Sequence, residues 1–257
     1  MFISDNWTDY QLLDAEGGER LERWGDYVLI RPDPQVIWHS ERVNPFWRKA
    51  QGIYRRSSSG GGAWVRRQMP DEWQITYRDL TFAVSPMGFK HTGIFPEQAV
   101  NWDYIAGQIQ NAGREIRLLN LFAYTGGATV AAAKAGAFGC HVVASKGMVA
   151  KARQNASLSG IASDRIRYIV DDCFKFVARE VRRGSRYDAV ILDPPSYGRG
   201  PNGEKWLIEE NLDGLVRLIT QVLSDDPLFV ILNSYTTGLS PSTCGFILDN
   251  NITRRFG

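Results

Sequence analysis

Five short apolar runs alternate with helix-like segments between residues 116 and 232, and this alternation constrains the fold more than any other feature. The runs are Ile116–Phe122, Cys140–Ala144, Ile166–Val170, Tyr187–Leu192 and Leu228–Leu232. Near-continuous apolar runs are typical of strands that are buried on both faces of a parallel sheet. Strands that alternate with helices predict an α/β fold with a Rossmann-like, doubly wound and mainly parallel sheet.

The segments between the runs predict the helices of that sheet. They are Glu97–Gln110, Ala128–Ala137, Ser145–Ser159, Asp172–Arg183 and a helix that ends near Ser224. Pro96 suits the first turn of the first helix, and glycines follow the ends of several others.

The first part of the chain has a different character. Seven of the eight tryptophans lie within the first 102 residues, where we expect most of them to form core. Short β-like segments, Asp26–Ile30, Gln35–Trp38 and Trp73–Tyr77, are separated by Pro and Gly, and Ser57–Gly62 is predicted to be a flexible loop. We therefore predict a small β-rich domain over residues 1–88, which orients the substrate, and a second domain over 89–257.

Several classes of protein are excluded by composition. No stretch approaches 18 apolar residues, which argues against a membrane span, and the polar, acidic first ten residues do not resemble a secretory signal. Cys140, Cys173 and Cys244 lie far apart, which excludes a disulfide framework and a recognisable zinc site and fits a reducing cytoplasm. The net charge of +2 permits only a local basic patch for nucleic acid.

In a doubly wound sheet, ligands bind beyond the carboxyl ends of the strands, so the residues after each run are the candidate site. The first run is followed by a turn with two glycines, Tyr124-Thr125-Gly126-Gly127, which lets a ligand approach the backbone closely or simply makes a tight turn. This turn lacks the GxGxxG fingerprint of nicotinamide and flavin sites, and the chain contains no GxxxxGK[ST]. Asp172, after the third run, could accept from an exocyclic amine such as that of adenine, although taken alone it reads better as a helix cap.

The most specific motif is Asp193-Pro194-Pro195-Ser196, followed by Tyr197. Two prolines remove two N–H donors, so their carbonyls can face a planar substrate without competing donors. Tyr197 offers a ring for stacking a base. The segment Ser196–Gly203 is predicted to be irregular and to serve as a lid.

These stretches resemble class I S-adenosylmethionine-dependent methyltransferases. More narrowly, they resemble the large-subunit ribosomal RNA methyltransferase group that includes bacterial enzymes modifying cytosine C5 or guanine N7. The resemblance covers residues 86–240. It rests on Lys90-His91-Thr92-Gly93 with Phe95 and Gln98, and on LLNLFAYTGGATVAAAKAGA, VASKGMVAKARQNASLSG, DDCFKFV and ILDPPSYGRG in that order.

The resemblance implies S-adenosylmethionine as the cofactor, S-adenosylhomocysteine as its product, and no metal. It implies that the turn after the first strand wraps the methionine part of the cofactor and that the end of the second strand meets the ribose. It also implies that the loop after the third strand holds the adenine and that Gly93–Gln98 cover the cofactor. The residues concerned are, in that order, Phe122, Ala123, Tyr124, Thr125 and Gly126; Val143, Ala144 and Ser145; and Asp172 and Cys173.

The resemblance also implies where the methyl group is transferred. Asp193, Pro194, Pro195 and Ser196 would border the methyl group and the target base as the catalytic segment, with Asp193 also touching the cofactor, and Tyr197 and Arg199 would bind the substrate. The implied substrate is a base in ribosomal or other structured RNA, and no membrane partner is expected.

One departure from the family concerns the ribose. The family has an acidic residue after the second strand, where this chain has Val143. Loss of a charge-assisted hydrogen-bond pair costs about 1.5–3 kcal/mol, roughly tenfold to a hundredfold in affinity. We expect weakened but real binding, with partial compensation by Ser145.

A second departure concerns the nucleophile. Cytosine-C5 enzymes attack with a thiolate that follows the fifth strand, but Asn233-Ser234-Tyr235-Thr236-Thr237 contains no cysteine and Cys244 lies too far along the chain. Direct transfer to a nitrogen or oxygen is the better hypothesis. The sequence also stops soon after the fifth strand, so the usual final strand pair is expected to be missing and the open edge could pair with a second copy.

Two other functions stay open on these residues. The same fold could methylate a small molecule or a protein. The Val143 departure also allows a non-catalytic RNA-binding or assembly factor, because fold alone does not settle function.

Overall fold

The computed structural model describes residues 3–57, 61–88 and 90–257, and the chain divides into two compact units, Met1–Val100 and Asn101–Gly257. The sequence placed this division between residues 88 and 89. The predicted loop Ser57–Gly62 lies partly outside the described residues.

The first unit contains a five-stranded sheet and a separate hairpin. The sheet has the order β1-β2-β3-β4-β5, in which only β3 and β4 are parallel. Its strands are β1 (Tyr10–Glu16), β2 (Glu19–Trp24), β3 (Tyr27–Pro32), β4 (Gly52–Arg56) and β5 (Gly62–Arg66), and the hairpin pairs β6 (Trp73–Tyr77) with β7 (Leu80–Val84).

The predicted strand at Gln35–Trp38 is wrong. The carbonyls of Val36 and Trp38 accept from the backbone of Gly18 and Gly17 in the β1–β2 turn, so this segment covers a turn and does not join a sheet. The strand predicted at Asp26–Ile30 is present as β3, and the strand predicted at Trp73–Tyr77 is β6.

The interior of the first unit holds an ion pair beside apolar core. Arg31 Nε and Nη2 donate to the Glu22 carboxylate at 2.5 and 2.7 Å, and the Tyr10 hydroxyl donates to the same carboxylate at 2.9 Å. Burial alone would raise the pKa of Glu22, but the adjacent Arg31 guanidinium outweighs burial and holds that pKa below its ordinary value. Both charges are therefore compensated where water is absent.

The second unit is built on a five-stranded parallel sheet. Its order is β10-β9-β8-β11-β14, and every neighbouring pair is parallel. The strands are β8 (Arg117–Leu121), β9 (Phe138–Val143), β10 (Ile166–Val170), β11 (Ala189–Leu192) and β14 (Phe229–Leu232). The predicted doubly wound α/β fold is confirmed, and each strand begins and ends within two residues of its predicted bounds.

Helices cover both faces of this sheet. They are α1 (Ala99–Asn111), α2 (Gly127–Lys134), α3 (Lys146–Leu158), α4 (Cys173–Arg182), α5 (Ile208–Ile219), α6 (Pro241–Leu248) and α7 (Arg254–Phe256). Alternate residues of β8 enter different cores: Leu118 packs with Ile105 of α1, whereas Leu119 packs with Phe176 of α4. Within the described residues, no helix has the length and apolarity needed to cross a membrane.

The segment predicted to be an irregular lid contains regular structure. β12 (Tyr197–Arg199) pairs with β13 (Lys205–Leu207) in an antiparallel hairpin. Trp206 Nε1 donates to the Pro195 carbonyl at 2.7 Å, and Lys175 of α4 forms a 2.6 Å ion pair with Glu204. Glycine and proline content predicted an irregular segment here, but these contacts hold the hairpin to the loop after β11 and to α4.

The entry into α2 depends on a close approach of two helices. A Cβ added at Gly127 would lie 2.8 Å from Trp102 Cζ2, whereas a Cβ at Gly107, inside α1, would meet nothing within 4 Å. Gly127→Ala should therefore lower the free energy of unfolding by about 1–3 kcal/mol, the typical cost of overpacking.

Gly107→Ala is the matched control, since it should stabilise the protein by up to about 1 kcal/mol through helix propensity alone. Urea unfolding monitored by circular dichroism measures both changes. Equal effects of the two substitutions would contradict the role assigned to Trp102.

Candidate functional site

The candidate site lies at the rim where the carboxyl ends of the parallel strands meet. β8 is the central strand, with β9 and β10 on one side and β11 and β14 on the other. Successive strands are added on one side of β8 up to β10 and on the other side from β11, so the switch point of the strand order lies between β8 and β11. The Asp193 N–H donates to the Leu121 carbonyl at 3.4 Å, which brings the loop after β11 beside the turn after β8. Such a switch point is the usual ligand crevice of an open α/β sheet.

The turn after β8 has an unusual backbone. Phe122 and Tyr124 have φ of 56° and 48°, and Gly126 has φ of 88°. Left-handed conformations of bulky residues are strained and persist where surrounding structure holds them, often at ligand sites. The N-cap of α2 is Gly126, which offers no side chain to cap the helix, so the first N–H groups of α2 are left to other acceptors.

Three buried polar side chains lie beneath this turn, and sequence reasoning missed them. Asn120 of β8, Thr129 of α2 and His141 of β9 are 2%, 1% and 0% exposed. Asn120 Nδ2 donates to Thr129 Oγ1 at 2.9 Å, and Thr129 Oγ1 lies 3.1 Å from His141 Nδ1. Burial lowers the pKa of His141 to about 3, so its imidazole is neutral at ordinary pH.

A fourth polar side chain reaches the turn from α3. Asn155 is fully buried, and its Nδ2 donates to the Thr125 carbonyl at 2.9 Å. Its neighbours on the buried face of α3 are Val149, Ala152 and Ala156. An asparagine within an apolar helical stripe is the sequence signal that could have indicated this contact.

The end of β9 carries no carboxylate. Val143 and Ala144 are half-buried, and the Ser145 hydroxyl accepts from the Met148 N–H at 3.4 Å as the cap of α3. Asp171, which follows the neighbouring strand β10, already pairs with Arg179 and accepts from the Asp172 N–H. Among the residues that the structure describes at this strand end, none therefore supplies a free carboxylate in place of the one that the family has at position 143.

The end of β10 combines a helix cap with a buried thiol. Asp172 Oδ1 accepts from the Lys175 N–H at 2.9 Å, which is the capping role that the sequence favoured. Cys173 is 4% exposed, and its sulfur accepts from the Phe122 N–H at 3.3 Å. Burial raises the pKa of the Cys173 thiol to about 12, so the side chain supports the turn as a neutral group and only its backbone N–H can serve a ligand.

The diproline loop after β11 is partly engaged within the protein. The expectation that both proline carbonyls are clear of competing donors is wrong at Pro195, because Trp206 Nε1 donates to it. Pro194 is buried, while Ser196 and Tyr197 are exposed. The Tyr197 ring is held by its hydroxyl, which accepts from Arg199 Nε at 3.0 Å.

The loop after β14 joins the same rim, although the sequence prediction assigned no site residue to it. The Asn233 N–H donates to the Leu192 carbonyl at 2.8 Å, and Asn233 Oδ1 accepts from Asn101 Nδ2 at 3.0 Å. The Ser196 and Thr236 hydroxyls lie 2.7 Å apart, which ties this loop to the diproline loop. Tyr235 and Tyr197 are therefore exposed aromatic residues on two joined loops.

Comparison with known proteins gives the family. A family model described as S-adenosylmethionine-dependent methyltransferase matches residues 42–240. The crystal structure of an S-adenosylmethionine-dependent methyltransferase from Agrobacterium tumefaciens is 34% identical, with a TM-score of 0.92, and the match covers 96% of this chain and 79% of that one.

Curated relatives extend the comparison. Ribosomal RNA large subunit methyltransferase K of Neisseria meningitidis is 28% identical over 92% of this chain, and methyltransferase I of Tolumonas auensis is 31% identical over 61%. The chain spans 66% of the first relative and 38% of the second.

Burial of neutral His141 has a measurable consequence for stability. Its pKa is lowered from 6.5 to about 3, so below pH 6.5 the unfolded chain binds a proton that the folded protein excludes. The stabilising contribution is fully present above pH 6.5 and should decline by about 1.4 kcal/mol per pH unit as the pH falls toward 3.

Urea titrations between pH 6.5 and 5, above the range in which carboxylates titrate, isolate this effect. The pH slope of His141→Gln should be shallower than that of the wild-type protein. His91, whose pKa burial lowers to about 4, remains in both proteins and cancels in the comparison. Equal pH slopes of the free energy of unfolding in the two proteins would show that folding does not lower the pKa of His141.

Proposed function

The chain belongs to the S-adenosylmethionine-dependent methyltransferase family, and from that premise we propose that it methylates a base in ribosomal or other structured RNA. The observation that carries the proposal is the meeting of the left-handed turn 122–126 and the diproline loop at the switch point of the sheet, within the residues that match the family. The RNA substrate is supported by the relatives, which are ribosomal RNA methyltransferases by name.

The turn after β8 fits the amino-acid end of the cofactor. The left-handed bend at Phe122, Ala123, Tyr124, Thr125 and Gly126 leads into α2, whose first N–H groups have no side-chain cap. Helix N–H groups without a side-chain cap suit a carboxylate. Beneath the bend, the buried His141 Nε2 has no hydrogen-bond partner among the described residues, which places an unpaired polar atom under the surface where the ligand would lie.

The strand ends of β9 and β10 would hold the adenosine. Val143, Ala144 and Ser145 would meet the ribose, with Ser145 as the hydroxyl that can share its oxygen between the α3 cap and a ligand. At the next loop, Asp172 keeps one carboxylate oxygen beyond its cap, and the Cys173 N–H opens helix α4. Both groups suit the donor and acceptor edge of adenine.

The diproline loop would place the acceptor. When bound, S-adenosylmethionine supplies a methyl carbon on a positively charged sulfur, which leaves as a neutral thioether. Asp193, Pro194, Pro195 and Ser196 would border that carbon, and Tyr197, steadied by Arg199, would stack against the target base. The work of these residues is to orient two reactants, a contribution that can supply much of the rate enhancement.

No cysteine serves as a nucleophile in this proposal. Cys173 is buried and protonated, and Cys140 is buried within the sheet, where burial raises its pKa to about 11. Cys244 lies in the first turns of α6, eight residues after the Thr236 contact with the diproline loop. The methyl group therefore passes directly to a nitrogen or oxygen of the base. Free thiols accord with a cytoplasmic enzyme.

The decisive experiment has two stages. Isothermal titration calorimetry with S-adenosylhomocysteine should show binding, and tritium from labelled S-adenosylmethionine should then enter bulk ribosomal RNA rather than protein. Label in protein or in a small-molecule fraction would favour the other methyltransferase functions. RNA binding without any heat from millimolar S-adenosylhomocysteine would instead favour an assembly factor.

Restoring the acid at the ribose should strengthen cofactor binding. Val143→Asp adds a carboxylate that can accept from both ribose hydroxyls, and a charge-assisted pair is worth about 1.5–3 kcal/mol. The dissociation constant for S-adenosylhomocysteine should fall about tenfold or more by calorimetry.

Val143→Asn is the matched control, because asparagine has nearly the same shape as aspartate but carries no charge. Its affinity for S-adenosylhomocysteine should increase much less. Equal affinities of wild type, Val143→Asn and Val143→Asp would show that the ribose does not lie at the end of β9.

Direct transfer predicts that activity does not depend on a reactive thiol. Cys244→Ala should retain transfer to RNA within about twofold of wild type, which is the scale of ordinary surface substitutions. RNA that contains 5-fluorocytosine should form no covalent complex detectable by denaturing electrophoresis. A trapped complex that disappears in Cys244→Ala would establish thiolate attack instead.

A further inference from the structure

The core beneath the turn contains three buried polar side chains that are linked by hydrogen bonds. Asn120 and His141 are register partners on the adjacent strands β8 and β9, and Thr129 reaches them from α2. All three are almost completely shielded from water. Burying polar groups costs free energy unless they are hydrogen-bonded, so a linked set of three in a parallel sheet calls for a role.

The Asn120 amide fixes the direction of the first hydrogen bond in this set. The Asn120 amide nitrogen can only donate, so it donates to Thr129 Oγ1. The Thr129 hydroxyl retains its own proton, which it can donate to His141 Nδ1, 3.1 Å away. A neutral imidazole that accepts at Nδ1 carries its proton at Nε2.

The protonated nitrogen lies beneath the turn. A Cβ added at Gly126 would come within 3.5 Å of His141 Cε1, so the ring packs directly under the entry to α2. The Tyr124 backbone acts on this ring to raise its pKa against the effect of burial, yet Nε2 has no hydrogen-bond partner among the residues that the structure describes. The donor is thus present and its bond incomplete.

We propose that His141 is a positioning residue whose Nε2–H completes its hydrogen bond to the Tyr124 carbonyl when the turn 122–126 closes on the amino-acid end of the cofactor. Asn120 and Thr129 select the tautomer, and His141 holds the left-handed Tyr124 in the conformation that binds. The inference rests on the proposed function, because it assigns that turn to the cofactor.

Nitrogen-15 NMR of the full chain with labelled histidine tests the proposal directly. The chain has three histidines, and the His141 signals are identified by their loss in His141→Gln. We expect the Nε2–H tautomer in the free protein and a shift of the Nε2 resonance on saturation with S-adenosylhomocysteine, while the exposed His39 does not move. An Nδ1–H tautomer overturns the proposal, as does an Nε2 signal that ligand binding leaves unchanged.

Substitution of Thr129 separates positioning from packing. Thr129→Val keeps the shape but removes the hydroxyl, so the Nε2–H tautomer should no longer be selected and the dissociation constant for S-adenosylhomocysteine should rise about tenfold, as for one lost hydrogen bond. Thr129→Ser keeps the hydroxyl and should bind within about twofold of wild type. Wild-type affinity in Thr129→Val overturns the proposal, and the tautomer measured in wild type and Thr129→Ser decides it if Thr129→Val does not fold.

The two proposals fail in different ways. Wild-type protein that binds no S-adenosylhomocysteine overturns the proposed function and this inference together. Wild-type protein that binds it while the His141 signals stay unchanged overturns this inference alone.

Discussion

The left-handed bend between β8 and α2 is the constraint on which the rest of the second unit depends. Phe122 and Tyr124 occupy a conformation that costs free energy for bulky residues, and contacts from β9, α3 and α4 support the turn. The Cys173 sulfur accepts from the Phe122 N–H, Asn155 donates to the Thr125 carbonyl, and His141 packs below Gly126. A turn supported from β9, α3 and α4 presents its backbone at the rim, where a ligand site needs positioned hydrogen-bond donors.

The opposite side of the rim is organised by a different kind of contact. The diproline loop is joined to the loop after β14 by the Ser196 and Thr236 hydroxyls, and to the β12–β13 hairpin by Trp206. The loops after β11 and β14 are thus joined by hydrogen bonds, and each carries an exposed aromatic ring, Tyr197 and Tyr235 respectively. This combination of a shielded backbone turn and an aromatic edge suits a reaction in which a small donor is enclosed and a planar acceptor approaches from solution.

Much of this architecture could be predicted because its signals are local. Apolar runs and helix-ending glycines located the five strands to within two residues, and Asp172 was recognised as a cap from its position before α4. The failures occurred where long-range contacts override local preference. Gln35–Trp38 has β-like residues but its carbonyls accept from a turn, and the glycine-rich segment after Ser196 forms a hairpin because Trp206 and Glu204 are held by distant partners.

Residue types and their spacing were enough to predict the alternation of strands and helices, the resemblance to a methyltransferase and the lack of an acidic side chain at position 143. Which polar groups contact one another became visible only in the folded protein. Asn120, Thr129 and His141 are separated along the chain but lie side by side because β8 and β9 pair in parallel register and α2 crosses above them. Hydrogen bonds depend on distance and direction in space, and residue order alone does not specify either.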